Sequence, residues 1–145
     1  MTDNDLMRFV IQLNIPNFRA VSMRDELTNR PRKNECGILN LQTHLQKGTH
    51  WTCWYKRGKE RYYFDSYGEP PPLEMIKYLK TPEEYDLPVI KRSAVTVQHD
   101  ESSECGALCL YVLKQMSKGV EFSSILEKLL KRYEKSTRSN LTIQI

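Results

Sequence analysis

The sequence predicts an α+β domain, because a central β-hairpin pattern is flanked by helical patterns at both ends of the chain. Two runs rich in aromatic and other strand-forming residues, Trp51–Tyr55 and Arg61–Asp65, lie on either side of the polar segment Lys56–Lys59. Apolar residues recur at helical spacing near both termini. The chain has 145 residues, which is the length of a single domain, and we therefore expect one domain over residues 1–145.

The segment before the hairpin predicts a helix, an exposed loop and a short strand. The helix runs from Asp3 to about Leu13, with polar residues available as a cap at positions 2–4. Residues 28–34 contain a proline and several basic side chains, which is typical of a solvent-exposed loop. Residues 37–41 then predict a strand.

A short helix and a further strand are predicted after the hairpin. The helix covers Leu73–Leu79 and directly follows a proline. Its apolar side is expected to consist of Leu73, Ile76 and Leu79. Residues 94–97 predict the strand.

Two helices are predicted in the last third of the chain. Ser102 or Ser103 can cap the first of them, and Gly119 ends it. The second runs from about Phe122 to Tyr133 with a continuous apolar stripe. We expect the tail after about residue 136 to be flexible.

The charge pattern is mildly basic. The chain has 22 Lys and Arg against 18 Asp and Glu, which gives a formal net charge of +4. Basic residues cluster at 56–61 and at 128–138. This pattern permits contact with nucleic acid or an acidic partner, although solvated helix faces and turns often show it as well.

The sequence lacks the usual signals of membrane and secreted proteins. No apolar run approaches the roughly 18 to 20 residues of a membrane span, and the acidic, polar start differs from a signal peptide. We therefore expect an intracellular, reducing location in which Cys36, Cys53, Cys105 and Cys109 are free thiols. The three histidines do not fall at zinc-ligand spacing relative to the cysteines, and no metal is predicted.

Cys105 is the candidate nucleophile. It falls in the first turn of a predicted helix, where unpaired N–H groups and the helix dipole favour a thiolate. Gly106 removes side-chain bulk beside it, so that a substrate backbone can approach closely. Free cysteines are also common core residues, and position alone leaves both interpretations of Cys105 open. Cys109 lies one turn later on an apolar face, which favours packing.

His50 is the candidate base, because it opens the first strand of the hairpin. A two-residue turn at 57–58 would place His50 directly opposite Asp65. A carboxylate in that position fixes the tautomer of an imidazole and stabilises the imidazolium. A surface His–Asp pair is the alternative interpretation. His44 and His99 have no comparable partner and are expected to be exposed loop residues.

Gln98 completes a set for acyl transfer. It closes the predicted strand at 94–97 and lies seven positions before Cys105. A side-chain amide there can donate to the oxyanion of a tetrahedral intermediate, together with N–H groups at the helix start.

The order of these residues matches a known group of enzymes. Residues 48–51 (Gly-Thr-His-Trp) are followed by 63–68 (Tyr-Phe-Asp-Ser-Tyr-Gly), by Gln98 and by Cys105-Gly106. This pattern resembles the adenovirus-type cysteine proteases, whose relatives are the ubiquitin-like-protein-specific proteases. Four further segments have a closer resemblance to the proteases of Polinton (Maverick) elements and adintoviruses: Ile15–Arg19, Lys33–Gly37, Tyr67–Pro72 and Cys109–Leu113. The resemblance thus covers about residues 3–115. Papain-like proteases have the cysteine first, so the order excludes them.

The resemblance implies a fold and a mechanism. The fold would be a small mixed sheet that carries the histidine and the aspartate, packed on a helix whose N-terminus presents the cysteine. The reaction would be peptide hydrolysis through a thioester. The implied roles are nucleophile for Cys105, general base and acid for His50, orienting carboxylate for Asp65 and oxyanion donor for Gln98.

The resemblance also implies a substrate-binding role for Trp51 beside the histidine, and Gly106 is expected to share it. The chain departs from the family in its acidic stretch at residues 99–104. Carboxylates close to a thiol oppose thiolate formation unless they point to solvent.

Three functions are compatible with these residues. The first is a cysteine endopeptidase, encoded by a virus or mobile element, that cleaves capsid and other virion precursors at small-residue sites containing glycine. The second is a deconjugating protease that acts on ubiquitin-like Gly-Gly termini, and the third is a binding domain without catalysis. For the first function we expect a monomer, located in the virion and in the host nucleus or cytoplasm.

No cofactor is expected beyond a DNA or peptide activator. The expected partners are a polypeptide substrate and, through non-specific contact, DNA. No membrane association is expected.

Overall fold

The computed structural model describes residues 1–27, 30–42, 50–99 and 102–144, with side chains as far as residue 137. The predictions for His44, Gly48 and Thr49, and for parts of the loops at 28–34 and 99–104, lie outside the described residues.

A five-stranded mixed sheet forms the centre of the fold. Its strands, in spatial order, are β1 (Phe18–Met23), β2 (Asn34–Asn40), β3 (Trp51–Arg57), β4 (Glu60–Phe64) and β5 (Lys91–Arg92). The β1–β2 and β4–β5 pairs are parallel, whereas β2–β3 and β3–β4 are antiparallel.

Helices cover both faces of this sheet. They are α1 (Asp3–Gln12), α2 (Leu73–Leu79), α3 (Cys105–Ser117) and α4 (Phe122–Gln144). Side chains of α1, α3 and α4 share one hydrophobic core with β3, and side chains of α2 form a second core on the opposite face around Trp54 and Tyr63. The predicted α+β class is therefore confirmed.

Helix α1 forms where the sequence predicts it. The Thr2 hydroxyl accepts from the Asp5 N–H at 3.1 Å, and the Asp5 carboxylate accepts from the Thr2 N–H at 2.9 Å. This reciprocal capping box satisfies two N–H groups that the first helical turn leaves without partners. Leu6 and Val10, one turn apart, are buried in the core.

The hairpin turn lies one residue later than the sequence predicts. Arg57 pairs with Glu60, so that the turn consists of Gly58-Lys59. Gly58 has a φ of 59°, whereas Lys59 has no positive φ, as in a type II′ turn with glycine at its first central position. The predicted turn at 57–58 is wrong because it placed the glycine second.

Residues 94–97 do not form the predicted strand. Only Lys91–Arg92 pairs with β4, and the chain then leaves the sheet. The Val97 N–H donates to the Ser66 carbonyl at 2.8 Å, so this segment packs on the turn that follows β4 instead of extending the ladder.

Helix α2 has the predicted boundaries but buries a different side. Met75, Tyr78 and Leu79 are buried, whereas Leu73 is 53% exposed. The Tyr78 hydroxyl donates to the buried carboxylate of Glu35 at 2.7 Å. That hydrogen bond fixes the rotation of the helix about its axis. The prediction considered only apolar residues and therefore left out Tyr78.

Two elements go beyond the sequence predictions. Strand β1 is half-buried along its whole length and shows no alternation of burial, so no period-2 pattern indicates it. Helix α4 continues past Tyr133 to Gln144. The flexibility of the tail remains a prediction.

Gly68→Ala is expected to lower the free energy of unfolding by about 2 to 5 kcal/mol. Gly68 has a φ of 77°, and a Cβ there would lie 2.8 Å from the backbone nitrogen of Val95. The left-handed conformation costs about 1 to 2 kcal/mol, and overpacking adds about 1 to 3 kcal/mol. Urea denaturation measures the loss.

Gly119→Ala is the matched control for that substitution. Gly119 has a φ of 83°, and nothing lies within 4 Å of the position that a Cβ would take there. It should therefore lose only the conformational part, about 1 to 2 kcal/mol. Equal losses at the two positions would show that the approach to Val95 costs nothing.

Candidate active site

Cys105 is the first residue of α3. The residue before it, Glu104, occupies the cap position without a capping side-chain hydrogen bond. The prediction that Ser102 or Ser103 caps this helix is therefore wrong, because both lie before the cap position. The Ser102 hydroxyl accepts from the N–H of Glu104 at 3.1 Å. The thiol lies at the positive end of a helix of 13 residues. Cys105 as a whole is 6% exposed.

His50 connects Cys105 with Asp65. Its Nε2 lies 3.0 Å from Oδ1 of Asp65, and its ring also hydrogen-bonds to the Cys105 side chain. Since Nε2 faces the carboxylate, Nδ1 is the ring nitrogen left for the thiol. The ring centroid of Tyr67 lies 5.0 Å from that of His50 and limits its rotation.

The two charges of a thiolate–imidazolium pair support each other in this arrangement. Burial lowers the pKa of His50, but its hydrogen bonds with Asp65 and Cys105 outweigh that effect and raise the pKa to about 9. Burial raises the pKa of the Cys105 thiol, whereas hydrogen bonds from His50 and from the backbone N–H groups of Trp51 and Gly106 lower it, and the net pKa falls below its usual value.

Asp65 contacts His50 from a turn and not, as predicted, from the opposite strand of the hairpin. Strand β4 ends at Phe64, so Asp65 is the first residue of the following turn and not a cross-strand partner of His50. The Asp65 N–H donates to the Ser93 hydroxyl at 2.9 Å, and Asp65 Oδ1 accepts from the Tyr67 N–H at 2.8 Å. These bonds hold the 1% exposed carboxylate toward the imidazole.

Gln98 lies in the segment that leads to α3, and not at a strand end. Its Nε2 donates to the Ser102 carbonyl at 2.8 Å, and its Oε1 accepts from the Ser66 hydroxyl. Gln98 is 1% exposed. The structure therefore fixes this amide between the turn that contains Asp65 and the loop before Cys105.

Trp51 and Gly106, the residues expected to bind substrate, lie beneath the first residues of the chain. The Trp51 indole N–H donates to the Met1 carbonyl at 3.2 Å. A Cβ on Gly106 would lie 3.2 Å from a methyl of Leu6 and 3.3 Å from the sulfur of Met1. In this structure the N-terminal segment thus covers both residues.

The acidic loop before α3 is partly neutralised by α4. Arg132 donates to the Glu104 carboxylate at 2.7 Å. His99, expected to be solvent-exposed, is half-buried: its ring centroid lies 4.7 Å from that of Tyr133 with the planes tilted by 38°, and its Nε2 lies 3.3 Å from the Ser136 hydroxyl. The expectation fails because α4 packs against His99 and Glu104, which lie 28 or more residues before their partners in sequence.

The other three cysteines are buried free thiols. Burial raises the pKa of Cys36 to about 12 and also raises that of Cys109. The Cys109 thiol donates to the Trp51 carbonyl at 3.5 Å inside the core. Cys105 is thus the cysteine whose thiol pKa is lowered.

Half of the basic cluster at 56–61 points inward. Lys56 and Arg61 are each 4% exposed and donate to backbone carbonyls. Burial also lowers the pKa of Lys56. From this cluster, Arg57 and Lys59 are exposed, and Arg57 donates to the Tyr55 hydroxyl.

The sequence predictions assign no role to three residues that hold the site together. Ser66, Ser93 and Tyr67 all bond to Asp65 or Gln98. A signal was present for two of them, because Ser66 and Tyr67 directly follow Asp65 in a segment that ends with a glycine. Ser93 gave none, since it lies 28 residues from Asp65.

The described residues contain no helix that is long and apolar enough to span a membrane. In the same part of the chain, no group of three His, Cys, Asp or Glu side chains is placed to hold a metal ion.

The fold and the site define an α+β protein in which a thiol is hydrogen-bonded to an imidazole, and the imidazole to a carboxylate. No family model and no curated protein matches the chain. Among solved structures it is similar to the crystal structure of ASFV pS273R protease, with a TM-score of 0.49 and 19% identity over 86% of this chain and 58% of the other. A Se-Met crystal structure of that protease gives a TM-score of 0.45 and 21% identity over 67% and 39% of the two chains. The chain thus spans little more than half the length of that protease.

Proposed function

We propose that the protein is a cysteine peptidase in which Cys105 is the nucleophile. The observation that carries this proposal is the His50 ring, hydrogen-bonded to Asp65 on one side and to the Cys105 thiol on the other. A nucleophile within reach of a base that a third group orients is the common feature of covalent hydrolases.

Each group has a defined part in the proposed reaction. The Cys105 thiolate attacks the carbonyl carbon of the scissile peptide bond, and the oxyanion that forms accepts hydrogen bonds from Gln98 and from N–H groups at the start of α3. The His50 imidazolium then protonates the leaving amine as the C–N bond breaks, which leaves a thioester. His50 next takes a proton from water, whose oxygen displaces the thiolate and releases the carboxylic acid.

The proposed substrates are viral capsid and virion precursor proteins. The resemblance to Polinton and adintovirus proteases supports capsid and virion precursors as substrates, cleaved where small residues such as glycine flank the bond. Gly106 adds no side chain beside the thiol, although the N-terminal segment covers it in this structure. Probes made of ubiquitin-like proteins with C-terminal electrophiles separate this from deconjugation, because robust labelling of Cys105 by one of them would favour the latter.

The pH dependence of alkylation tests the proposed nucleophile. We expect iodoacetamide to label Cys105 selectively, with an apparent pKa below the value of about 8.5 for a free thiol. In His50→Ala the apparent pKa should rise relative to the wild type, because burial of the thiol remains and the hydrogen bond and charge of His50 are lost. Mass spectrometry of tryptic peptides identifies the labelled cysteine at each pH.

His99→Ala is the matched control, since it removes the other histidine of the described residues. It should keep the wild-type profile, because His99 contacts Tyr133 and Ser136 of α4 and not the thiol. Slow and similar labelling of all four cysteines, or an unchanged profile in His50→Ala, would contradict the proposal.

A further inference from the structure

Two consecutive buried residues, Asp65 and Ser66, each hydrogen-bond to a different residue of the candidate site. Asp65 bonds to the imidazole of His50, and Ser66 bonds to the amide of Gln98. Ser66 is 0% exposed, and its carbonyl accepts from the Val97 N–H at 2.8 Å. The backbone on both sides of this serine–glutamine contact is therefore fixed.

The hydrogen bonds define which way the amide of Gln98 faces. The Ser102 carbonyl can only accept, so the group 2.8 Å from it must be the NH2 of Gln98. The amide oxygen then faces Ser66, and the Ser66 hydroxyl must donate to it, because an amide oxygen can only accept.

The second N–H of this amide has only a weak partner. The first N–H is committed to the Ser102 carbonyl. The nearest further contact of Nε2 is the Ser102 hydroxyl at 3.4 Å, a distance at which a hydrogen bond is weak. A stronger acceptor, such as a developing oxyanion, can therefore take the second N–H at little cost.

We propose that Ser66 is a positioning residue that aligns the Gln98 amide so that its second N–H donates to the oxyanion. This inference rests on the proposed function of Cys105. With Ser66 on the oxygen and Ser102 on the nitrogen, the amide plane is held at both ends before substrate arrives. Such preorganisation is what makes an oxyanion donor effective. Without the Ser66 hydroxyl, the buried amide oxygen loses its donor, and the amide is held at one end.

Two reagents separate an effect on the oxyanion from an effect on the thiolate. p-Nitrophenyl acetate acylates a thiolate through a tetrahedral oxyanion: the S–C bond forms, the ester C–O bond breaks and p-nitrophenolate leaves. Iodoacetamide alkylates the same thiolate by direct displacement of iodide, without an oxyanion. The ratio of the two rate constants at Cys105 therefore reports oxyanion stabilisation alone.

Ser66→Ala is expected to lower the acylation rate by at least about 10-fold, and by no more than the roughly 10²- to 10³-fold that loss of a whole oxyanion donor costs. Alkylation of Cys105 should change by less than about twofold on the same principle, because the reaction forms no oxyanion. Ser66→Gly also lacks the hydroxyl and should give the same selective loss, which keeps the test usable if one variant folds poorly. In a Gln98→Ala background Ser66→Ala should have no further effect, because the serine acts through that amide.

Ser93→Ala is the matched control. Ser93 is also 0% exposed, but its hydroxyl bonds to the backbone N–H and carbonyl of Asp65 and not to Gln98. It should change both rates by a similar factor. A parallel fall of both rates in Ser66→Ala, no change in either, or an equal loss in the Gln98→Ala background would overturn the positioning role. If wild-type Cys105 reacts selectively with neither reagent, the proposed function itself fails.

Discussion

Replacing Cys105 by alanine is expected to abolish peptide hydrolysis, with a loss of at least about 10³-fold in kcat. The lowered thiol pKa and the hydrogen bond with His50 mark this sulfur as the nucleophile, and alanine leaves nothing to form the thioester. The measurement is turnover of a fluorogenic peptide with glycine on both sides of the scissile bond. Cys105→Ser should lose nearly as much, because a hydroxyl in the same place ionises far less readily than a thiol.

Cys36→Ala is the control for that loss. Cys36 is a buried free thiol in β2, and its sulfur donates to the Pro16 carbonyl at 3.6 Å rather than to His50. We expect this variant to lose some stability and to keep its turnover. Turnover of Cys105→Ala within tenfold of the wild type would contradict the proposed nucleophile.

The contact among His50, Asp65 and Cys105 could be predicted from the sequence, because it depends on residue types at particular positions, whereas their catalytic roles remain a proposal. His50, Asp65 and Cys105 each follow from a local pattern: a strand start, a strand end and a helix start. The structure brings these three together by hydrogen bonds, although the hairpin register behind the prediction is wrong. The contact survives because Asp65 lies beyond β4 and its carboxylate is directed by the turn.

The supporting contacts could not be predicted, because they join residues far apart in sequence. The Arg132–Glu104 ion pair and the Ser66–Gln98 bond each depend on the final packing of α4 or of the 94–97 segment. That segment has the apolar composition of a strand, but it packs on the turn after β4 through the Val97–Ser66 hydrogen bond and the close approach of its backbone to Gly68. Local propensity does not contain such tertiary information.

Asp65→Asn is expected to reduce kcat by about 10²- to 10⁴-fold, the upper value being the effect of the same change in a serine-protease triad. Asp65 Oδ1 accepts from both His50 Nε2 and the Tyr67 N–H. An asparagine that keeps its oxygen there retains both bonds but loses the charge that stabilises the imidazolium. An asparagine turned the other way donates to Nε2, which moves the ring proton to Nδ1, where it faces the thiol. Either orientation impairs the base.

Glu104→Gln is the control for Asp65→Asn, because it makes the same chemical change one residue from the thiol. Glu104 is partly exposed and pairs with Arg132, so its loss should alter turnover by no more than about threefold, in line with the small worth of exposed ion pairs. A similar fall in both variants would mean that general charge near the thiol, and not the contact with His50, determines the rate.

The stability of Asp65→Asn should also depend on pH in a defined direction. The folded-state pKa of His50 is about 9, above its ordinary value of 6.5, so this group stabilises the fold fully below about pH 6.5. That stabilisation is lost as the pH rises through about 9. Because the bond to Asp65 is a main cause of the raised pKa, the asparagine variant should lose more unfolding free energy at pH 6 than at pH 10. Urea denaturation at the two pH values measures the difference, and an equal loss at both would show that Asp65 does not hold His50 in its charged form.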